Sequence, residues 1–340
     1  TSKHGTEIGL QGVVVKTRDW NVTAGFNINF NRGKVDKLAD NVTGLYGTEW
    51  ATSSTFPKSD YVLKEGRPVG LVRGLTADGF YTTDDFTYEN GVYILKEGVA
   101  DVSSAVFPNY HLHNGMNERP AGQLAYPGMA KFKDLNDDGI INDDDVDVIG
   151  DMTPVHTGGF NINATYKNFD LGLYFNWSYG NEIYNVNKLA ALYGYKEGAV
   201  YENKLSIVKD CYKIYDVVNG ELVALTTPEQ LNAANANAKL PLAYSENGYV
   251  STLGIEDGSY LRLNTLTLGY TLPKSMLQKA GISNLRVYGS IYNVFTITGY
   301  SGIDAEVSTS TSTKTYPQLG MDWGTYPRAR SFVLGVNLSF

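Results

Sequence analysis

The chain of 340 residues carries a formal net charge of -8 and shows no lysine/arginine stripe able to neutralise phosphates, which argues against a nucleic-acid partner. Cys211 stands alone, so no intrachain disulfide is available, and no run of about 18 apolar residues exists to form a transmembrane helix. With 25 tyrosines and 36 glycines the composition is β-rich, and the N-terminal "TSKHGTEIGLQG" lacks the basic and apolar regions of a signal peptide.

In chain order, "EIGLQGVVVK" reads as a weak strand. "DWNVTAGFNINF" alternates with period two, placing Trp20, Val22, Ala24, Phe26, Ile28 and Phe30 on one face and asparagine, threonine and glycine on the other. Long connections follow over 31–65 and 76–125, and the segments near 66–75 and 126–133 contribute two further crossings or none. "TGGFNINATYKNFDLGLYFNWSYG" is a hairpin turned at Lys167-Asn168, with Phe160, Ile162, Ala164 and Tyr166 facing Phe169, Leu171, Leu173, Phe175, Trp177 and Tyr179. Another long connection covers 181–257, with a short helix expected in "NVNKLAALYGYKEGAV". "LNTLTLGYTLP" alternates up to Pro273, and a modest connection, 273–284, leads to the weaker strand "LRVYGSIYNVFTIT". After 297–326, which contains the low-complexity "EVSTSTSTKTY", the chain ends on the alternating "RSFVLGVNLSF".

Alternation alone fits any antiparallel sheet with one buried face. Three details go further. The strands run to ten or more residues, enough to cross a bilayer at a tilt; their polar faces are small and uncharged; and aromatics gather at strand ends, as in interfacial girdles. Connections alternate between short and long, as periplasmic turns and extracellular loops do in outer-membrane barrels. If the last strand runs inward, every short turn falls on the periplasmic side. Seven to nine crossings are an odd or marginal number for a complete barrel, so a partial one is expected. The fold class is all-β, an antiparallel transmembrane barrel wall with long extracellular loops.

"DLNDDGIINDDD", residues 134–145, has the ligand spacing of a twelve-residue calcium loop: Asp134, Asn136, Asp138, the Ile140 carbonyl, Asn142 and Asp145, with Gly139 at the sharp turn. Asp145 is shorter than the bidentate glutamate expected at position 12, which weakens the affinity to be expected. No helix is evident on either side. A solvated acidic turn is the alternative. The strand parity puts this loop on the extracellular side, where a structural Ca2+ would brace it.

Other candidates are weaker. His4, His111, His113 and His156 are scattered. Trp50, Tyr193, Tyr195, Trp323 and Tyr326 are loop aromatics suited either to stacking on ligand or to loop packing. No nucleophile motif, phosphate loop or acid/base pair is found, so neither an enzyme nor an organic cofactor is expected.

"MAKFKDLNDDGIINDDDVDVIGDMTPVHTGGFNINATYKNFDLGLYFNWSYGNEIYN" closely resembles a signature near the C-terminal end of SusC-like (SusC/RagA) TonB-dependent transporters of Bacteroidetes outer membranes. "WNVTAGFNINFNRGKVDKL", "GSYLRLNTLTLGYTLP", "LRVYGSIYNVFTITGYSGIDAE" and "YPRARSFVLGVNLSF" occur in the family's order, so the resemblance covers nearly the whole chain. It implies the C-terminal part of a 22-strand plugged barrel in the outer membrane of a Gram-negative bacterium, with plug and N-terminal extension lying outside this chain. It implies a SusD-like surface lipoprotein as lid, energy from the TonB complex, a glycan or peptide as cargo, and contact with outer-membrane lipid. Phe340 resembles the terminal residue read by the barrel-assembly machinery, and it is also simply the last apolar residue of a strand. The rival reading is a secreted soluble β-rich glycan-binding or adhesin module with a calcium-braced loop.

Overall fold

A computed structural model describes residues 1–107, 119–192, 204–243, 248–278, 281–309 and 319–340. Its frame is one antiparallel sheet of seven strands that pair strictly in chain order. We label them β1 (Ser2–Lys16), β2 (Trp20–Lys34), β3 (His156–Tyr166), β4 (Phe169–Tyr179), β5 (Tyr260–Thr271), β6 (Asn284–Thr298) and β7 (Ser331–Ser339). The segments near 66–75 and 126–133 add no crossing; they supply the short strands Leu71–Gly74 and Ala130–Phe132 of separate small sheets. None of the described helices is long and apolar enough to cross a membrane.

Period two holds because side chains alternate across a pleated strand, and the register carries it from strand to strand. One row across the apolar face runs Leu10, Phe26, Phe160, Phe175, Leu263, Phe295. A second, at the short-turn end, runs Trp20, Tyr166, Phe169, Tyr270, Val287, Val336. Rings in these rows touch: Trp20 and Tyr166 lie 4.4 Å apart, Phe169 and Tyr270 4.6 Å, and Phe160 stacks on Phe175 at 4.3 Å. Such pairs stabilise a sheet by roughly 0.2–1 kcal/mol each. Apart from Leu263, the described residues leave this face largely uncovered, and Phe169, Leu268, Val287, Ile297 and Leu334 all stand exposed on it.

The strand ends are unequal. Residues 17–19, 167–168 and 272–283 make the short connections at one end, and Lys167 takes the left-handed conformation (φ 52°) in the tight turn. All three long connections, 35–155, 180–259 and 299–330, leave the opposite end. They do not trail as loops. They fold into a layer of short strands with its own apolar centres, one around Tyr81, Tyr93, Tyr126 and Ile141, another around Tyr61, Tyr184, Leu189 and Val250. The buried hydrophobic core lies almost wholly there, whereas Leu263 is the sheet's contribution among the described residues.

Two glycines lie directly opposite large rings. Gly158 pairs with Trp177 and Gly335 with Tyr288. A Cβ at Gly158 would overlap the Trp177 ring and the Asn27 carbonyl, so the indole lies over bare backbone. Gly158→Val is therefore expected to push Trp177 aside at a cost of about 1–3 kcal/mol. In detergent this should lower the thermal midpoint followed by tryptophan emission; an unchanged midpoint would contradict the packing.

Candidate functional site

The face opposite the apolar rows is polar and small. Its side chains bond along and across strands: Asn163 donates to Asn161 Oδ1 at 3.1 Å, Tyr174 donates to Asn163 Oδ1 at 3.2 Å, and the Thr267 and Ser290 hydroxyls meet at 2.8 Å. Asn176 reaches the Tyr260 hydroxyl at 3.2 Å. At the short-turn end Arg286 clasps Asp170 through Nε at 2.9 Å and Nη2 at 2.5 Å, a two-pronged pair on a mostly uncharged wall. This surface suits hydrated polar cargo. It offers hydrogen bonds throughout and few fixed charges that would hold a ligand in place.

Where wall meets loop layer, β5 gains an extra residue, Asn264, that breaks its pairing with both neighbours. The bulge switches the strand's parity, so that Leu261 and Leu263 face outward beyond it while Leu266, Leu268 and Tyr270 do so before it. It also aims Arg262 at the layer. This guanidinium is 2% exposed and donates to Thr296 Oγ1 at 2.9 Å, to Glu306 at 2.8 Å and to Asp304. Arg328 closes the group, pairing with Asp304 at 3.0 Å and Glu306 at 3.0 Å. The 299–330 connection is thus bolted to the wall. A strand of small uncharged residues carrying one arginine was the signal available in the sequence.

A second seam joins this connection to the one before it. Glu256 Oε1 accepts from Lys188 at 3.1 Å, Asn185 at 3.2 Å and the Ser301 hydroxyl at 2.9 Å, while Oε2 takes the Ser301 amide at 2.9 Å. Tyr300 donates to Asp322 at 2.6 Å, and burial drives its phenol pKa upward. Asp60, fully buried, accepts the amides of Glu49, Trp50 and Ala51 at 2.8–2.9 Å and so ties the start of the layer together. Its burial raises the carboxyl above the ordinary range against the pull of those amides.

The acidic loop folds on itself. Asp134 accepts the amides of Asp138 at 3.3 Å and Gly139 at 2.7 Å, and Asp138 accepts that of Ile140 at 2.9 Å. Gly139 (φ 85°) makes the sharp turn. Asn142 caps a short 3-10 turn, Asp143–Asp145, inside the loop. Asp145 is buried and accepts the amides of Leu135 at 2.7 Å and Asn142 at 2.8 Å. The Ile140 carbonyl accepts from Asn142 Nδ2 at 3.2 Å. Among the described residues no three histidine, cysteine, aspartate or glutamate side chains gather closely enough to hold a metal. Each loop carboxylate nevertheless keeps accepting capacity, since an ionised aspartate offers about four lone-pair sites.

The remaining candidates scatter. His156 lies at the outer end of β3, accepting from Trp177 Nε1 at 3.0 Å, and His4 lies on β1. Trp50 packs edge-on against Tyr184, whereas Trp323 and Tyr326 are exposed. His111, His113, Tyr193, Tyr195 and most of "EVSTSTSTKTY" lie outside the described residues. Phe340 follows the last paired residue and is exposed.

No protein-family model matches the chain. TonB-dependent receptor P3 of Formosa agariphila is 29% identical over 99% of this chain, and TonB-dependent receptor SusC of Bacteroides thetaiotaomicron is 25% identical over 99%. The chain spans 28% and 26% of these relatives, respectively. Among solved structures, the RagAB peptide transporter superposes with a TM-score of 0.64 at 21% identity, covering 99% of this chain and 29% of that one. Its relative, the RagAB peptide importer in the closed-closed state, gives 0.65. The resemblance to SusC-like TonB-dependent receptors therefore holds over the full chain, and the fold is that of their barrels.

The Glu256 seam is sensitive to acid. Burial alone would raise this carboxyl, but the Ser301 amide and hydroxyl together with Lys188 outweigh it and hold the pKa below the usual range. The stabilisation is complete above the unfolded value, about 4.3, and fades as pH falls through the lower folded value. The gap in thermal midpoint between wild type and Glu256→Gln should be widest near neutrality and close below about pH 4. A gap that does not vary with pH would remove the carboxylate from this role.

Proposed function

Starting from the kinship of this chain with the SusC-like TonB-dependent receptors, we propose that it forms barrel wall and extracellular layer of an outer-membrane nutrient importer. The carrying observation is the two-faced sheet: an uncovered apolar face with aromatic rows, backed by a hydrogen-bonded, mostly uncharged polar face. Lipid satisfies the first and a water-filled lumen the second. Strands are an admissible way to cross because each donates its backbone groups to its neighbours. The chain corresponds to the C-terminal part of the barrel, with the plug in another part of the receptor. A SusD-like lipoprotein covers the loop layer, and TonB supplies the energy of passage. The chemistry is binding and transit. The cargo is a glycan or an oligopeptide, both suited to a wall of amides and hydroxyls. Phe340 serves as the assembly signal.

A soluble secreted module would leave the same aromatic rows facing water, where contiguous apolar patches of this extent are rare. The receptor carrying this chain is expected to fractionate with the outer membrane, to require detergent, to shift in gel mobility on boiling, and to co-purify with a surface lipoprotein. Recovery as a detergent-free soluble species without the mobility shift would sink the importer reading.

The acidic loop is proposed to take one Ca2+ through Asp134, Asn136, Asp138, the Ile140 carbonyl, Asn142 and Asp145. Support comes from the amide-braced turn at Gly139, which fixes the Asp134 and Asp138 carboxylates on the same loop. The bound ion would supply structural bracing. Affinity in the range of extracellular modules, about 10⁻⁴–10⁻³ M, is expected with the short Asp145 at position 12. Calorimetry on the detergent-solubilised receptor should show one saturable site, weakened at least about tenfold by Asp134→Ala or Asp138→Ala. Absence of any heat of binding up to ~10 mM Ca2+ would rule the site out.

A further inference from the structure

Behind the strand Leu71–Gly74, at the start of the loop layer, lies a cavity of about 440 Å³ that none of the seams described above uses. Arg73 lines it. The strand is held on both sides, by Val148 in the Asp147–Asp151 strand and by the Arg73 amide donating to the Asp60 carbonyl at 2.9 Å, so the arginine stands on fixed backbone. Its guanidinium is half-buried, stacks over the Tyr46 ring at 4.8 Å and spends one Nη1 hydrogen on the Ser59 hydroxyl at 2.8 Å. No carboxylate pairs with it among the described residues.

That is an unusual position for an arginine. A guanidinium has five donors in a rigid fork, and taking it out of water without a counter-charge is costly. Arg262 and Arg286 show the ordinary solution in this chain, since each is clasped by carboxylates. Arg73 has none. Burial accordingly lowers its pKa, with the Tyr46 and Asp143 charges pulling the other way.

The rest of the cavity fits what the fork lacks. Lys58 brings a second cation, and Ser53, Ser54 and Ser104 bring hydroxyls that no other described residue engages. Phe56 and Val106 supply apolar wall. Asp143 also lines the cavity, so Lys58 and Arg73 together exceed it by one positive charge. A singly charged oxyanion balances that, whereas a dianion such as phosphate would be repelled by Asp143. The volume lies within the roughly 300–1,000 Å³ of small-ligand pockets. We propose that this cavity binds a carboxylate borne by a small ligand, held two-pronged by Arg73 with Lys58 and the serine hydroxyls around it.

This assignment needs only the loop layer as folded here; its use in cargo capture rests on the importer reading. The test is calorimetry on the detergent-solubilised receptor with trialanine, trialanine amide and glucuronate as probes. At least one of the two carboxylates should bind, the amide should bind tenfold or more weakly than trialanine if trialanine is the binder, and Arg73→Gln should abolish binding. Lys58→Gln, at an exposed position, should weaken it several-fold. Binding of trialanine alone assigns the carboxylate to peptides, and binding of glucuronate alone assigns it to acidic sugars. Failure of both carboxylates, equal binding of acid and amide, or wild-type affinity in Arg73→Gln overturns the proposal. Should Arg73→Gln fail to fold, Lys58→Gln and Ser104→Ala decide it: full affinity in both overturns the site. A receptor that binds the carboxylate but does not import leaves this site standing and counts against the importer reading.

Discussion

Everything in this chain hangs from one continuous backbone ladder. β1 to β7 are joined edge to edge in chain order, so each interior strand gives its amides and carbonyls to two neighbours along most of its length. In a medium without water an unpaired backbone group costs several kcal/mol, and the ladder removes that cost for the interior strands. It also explains the side-chain pattern. Once pairing is fixed, each residue has one of two faces to choose from, and a shift of one position would move every ring in the Phe26–Phe160–Phe175 row to the polar side. The rings and the ladder therefore hold each other in register.

The division of labour follows. The sheet buries little of its own apolar surface, and the packed interior sits in the connections, where Tyr81, Tyr93, Tyr126 and Tyr184 are fully buried. Tyrosine suits this layer because its ring fills space while its hydroxyl can reach a carbonyl, as Tyr81 does to Ala100 at 2.6 Å and Tyr61 to Leu319 at 2.9 Å. The second of these bonds joins residues from the first and last long connections. The layer is a folded unit in its own right, carried at one end of the wall.

The wall was legible in the sequence because its rule is local. Period two, short turns and aromatic strand ends were enough to place all seven strands and to put every long connection at one end. β5 shows where the rule stops: Asn264 adds a residue and the parity flips, so the alternation of Leu266, Leu268 and Tyr270 does not carry through to Arg262. Of the layer, only the short helix Val186–Leu192 was legible. Its strands are two to five residues long, such as Thr55–Phe56 and Ile140–Ile141, too short for any period, and many have partners far away in sequence, as Gly248–Tyr249 is for Thr55–Phe56; the hairpins turned at Asn90-Gly91 and Asn219-Gly220 are local exceptions that the reading missed. The acidic loop was visible as spacing, since calcium ligands and Asx turns use the same residues at the same intervals. The cavity beside Arg73 was invisible because its walls come from four separate stretches of chain.

The way layer and wall are joined bears on how the whole works. A covering that only lay on the barrel would be free to lift; this one is fastened through Arg262, whose donors are divided between Thr296 on the wall and Asp304 and Glu306 in the layer. Removing one partner of such a buried charge group typically costs about 3–5 kcal/mol, so the 299–309 segment is held far more firmly than its surface position suggests. Away from Arg262 and the Arg286–Asp170 pair at the short-turn end, the polar face is held more loosely: Asn161, Asn163, Thr267 and Ser290 bond through neutral groups worth about 0.5–1.5 kcal/mol each, which water can replace one at a time. A firmly fastened rim thus sits at one end of a wall of exchangeable hydrogen bonds, and the wall's hydration can change without the loop layer having to unfold.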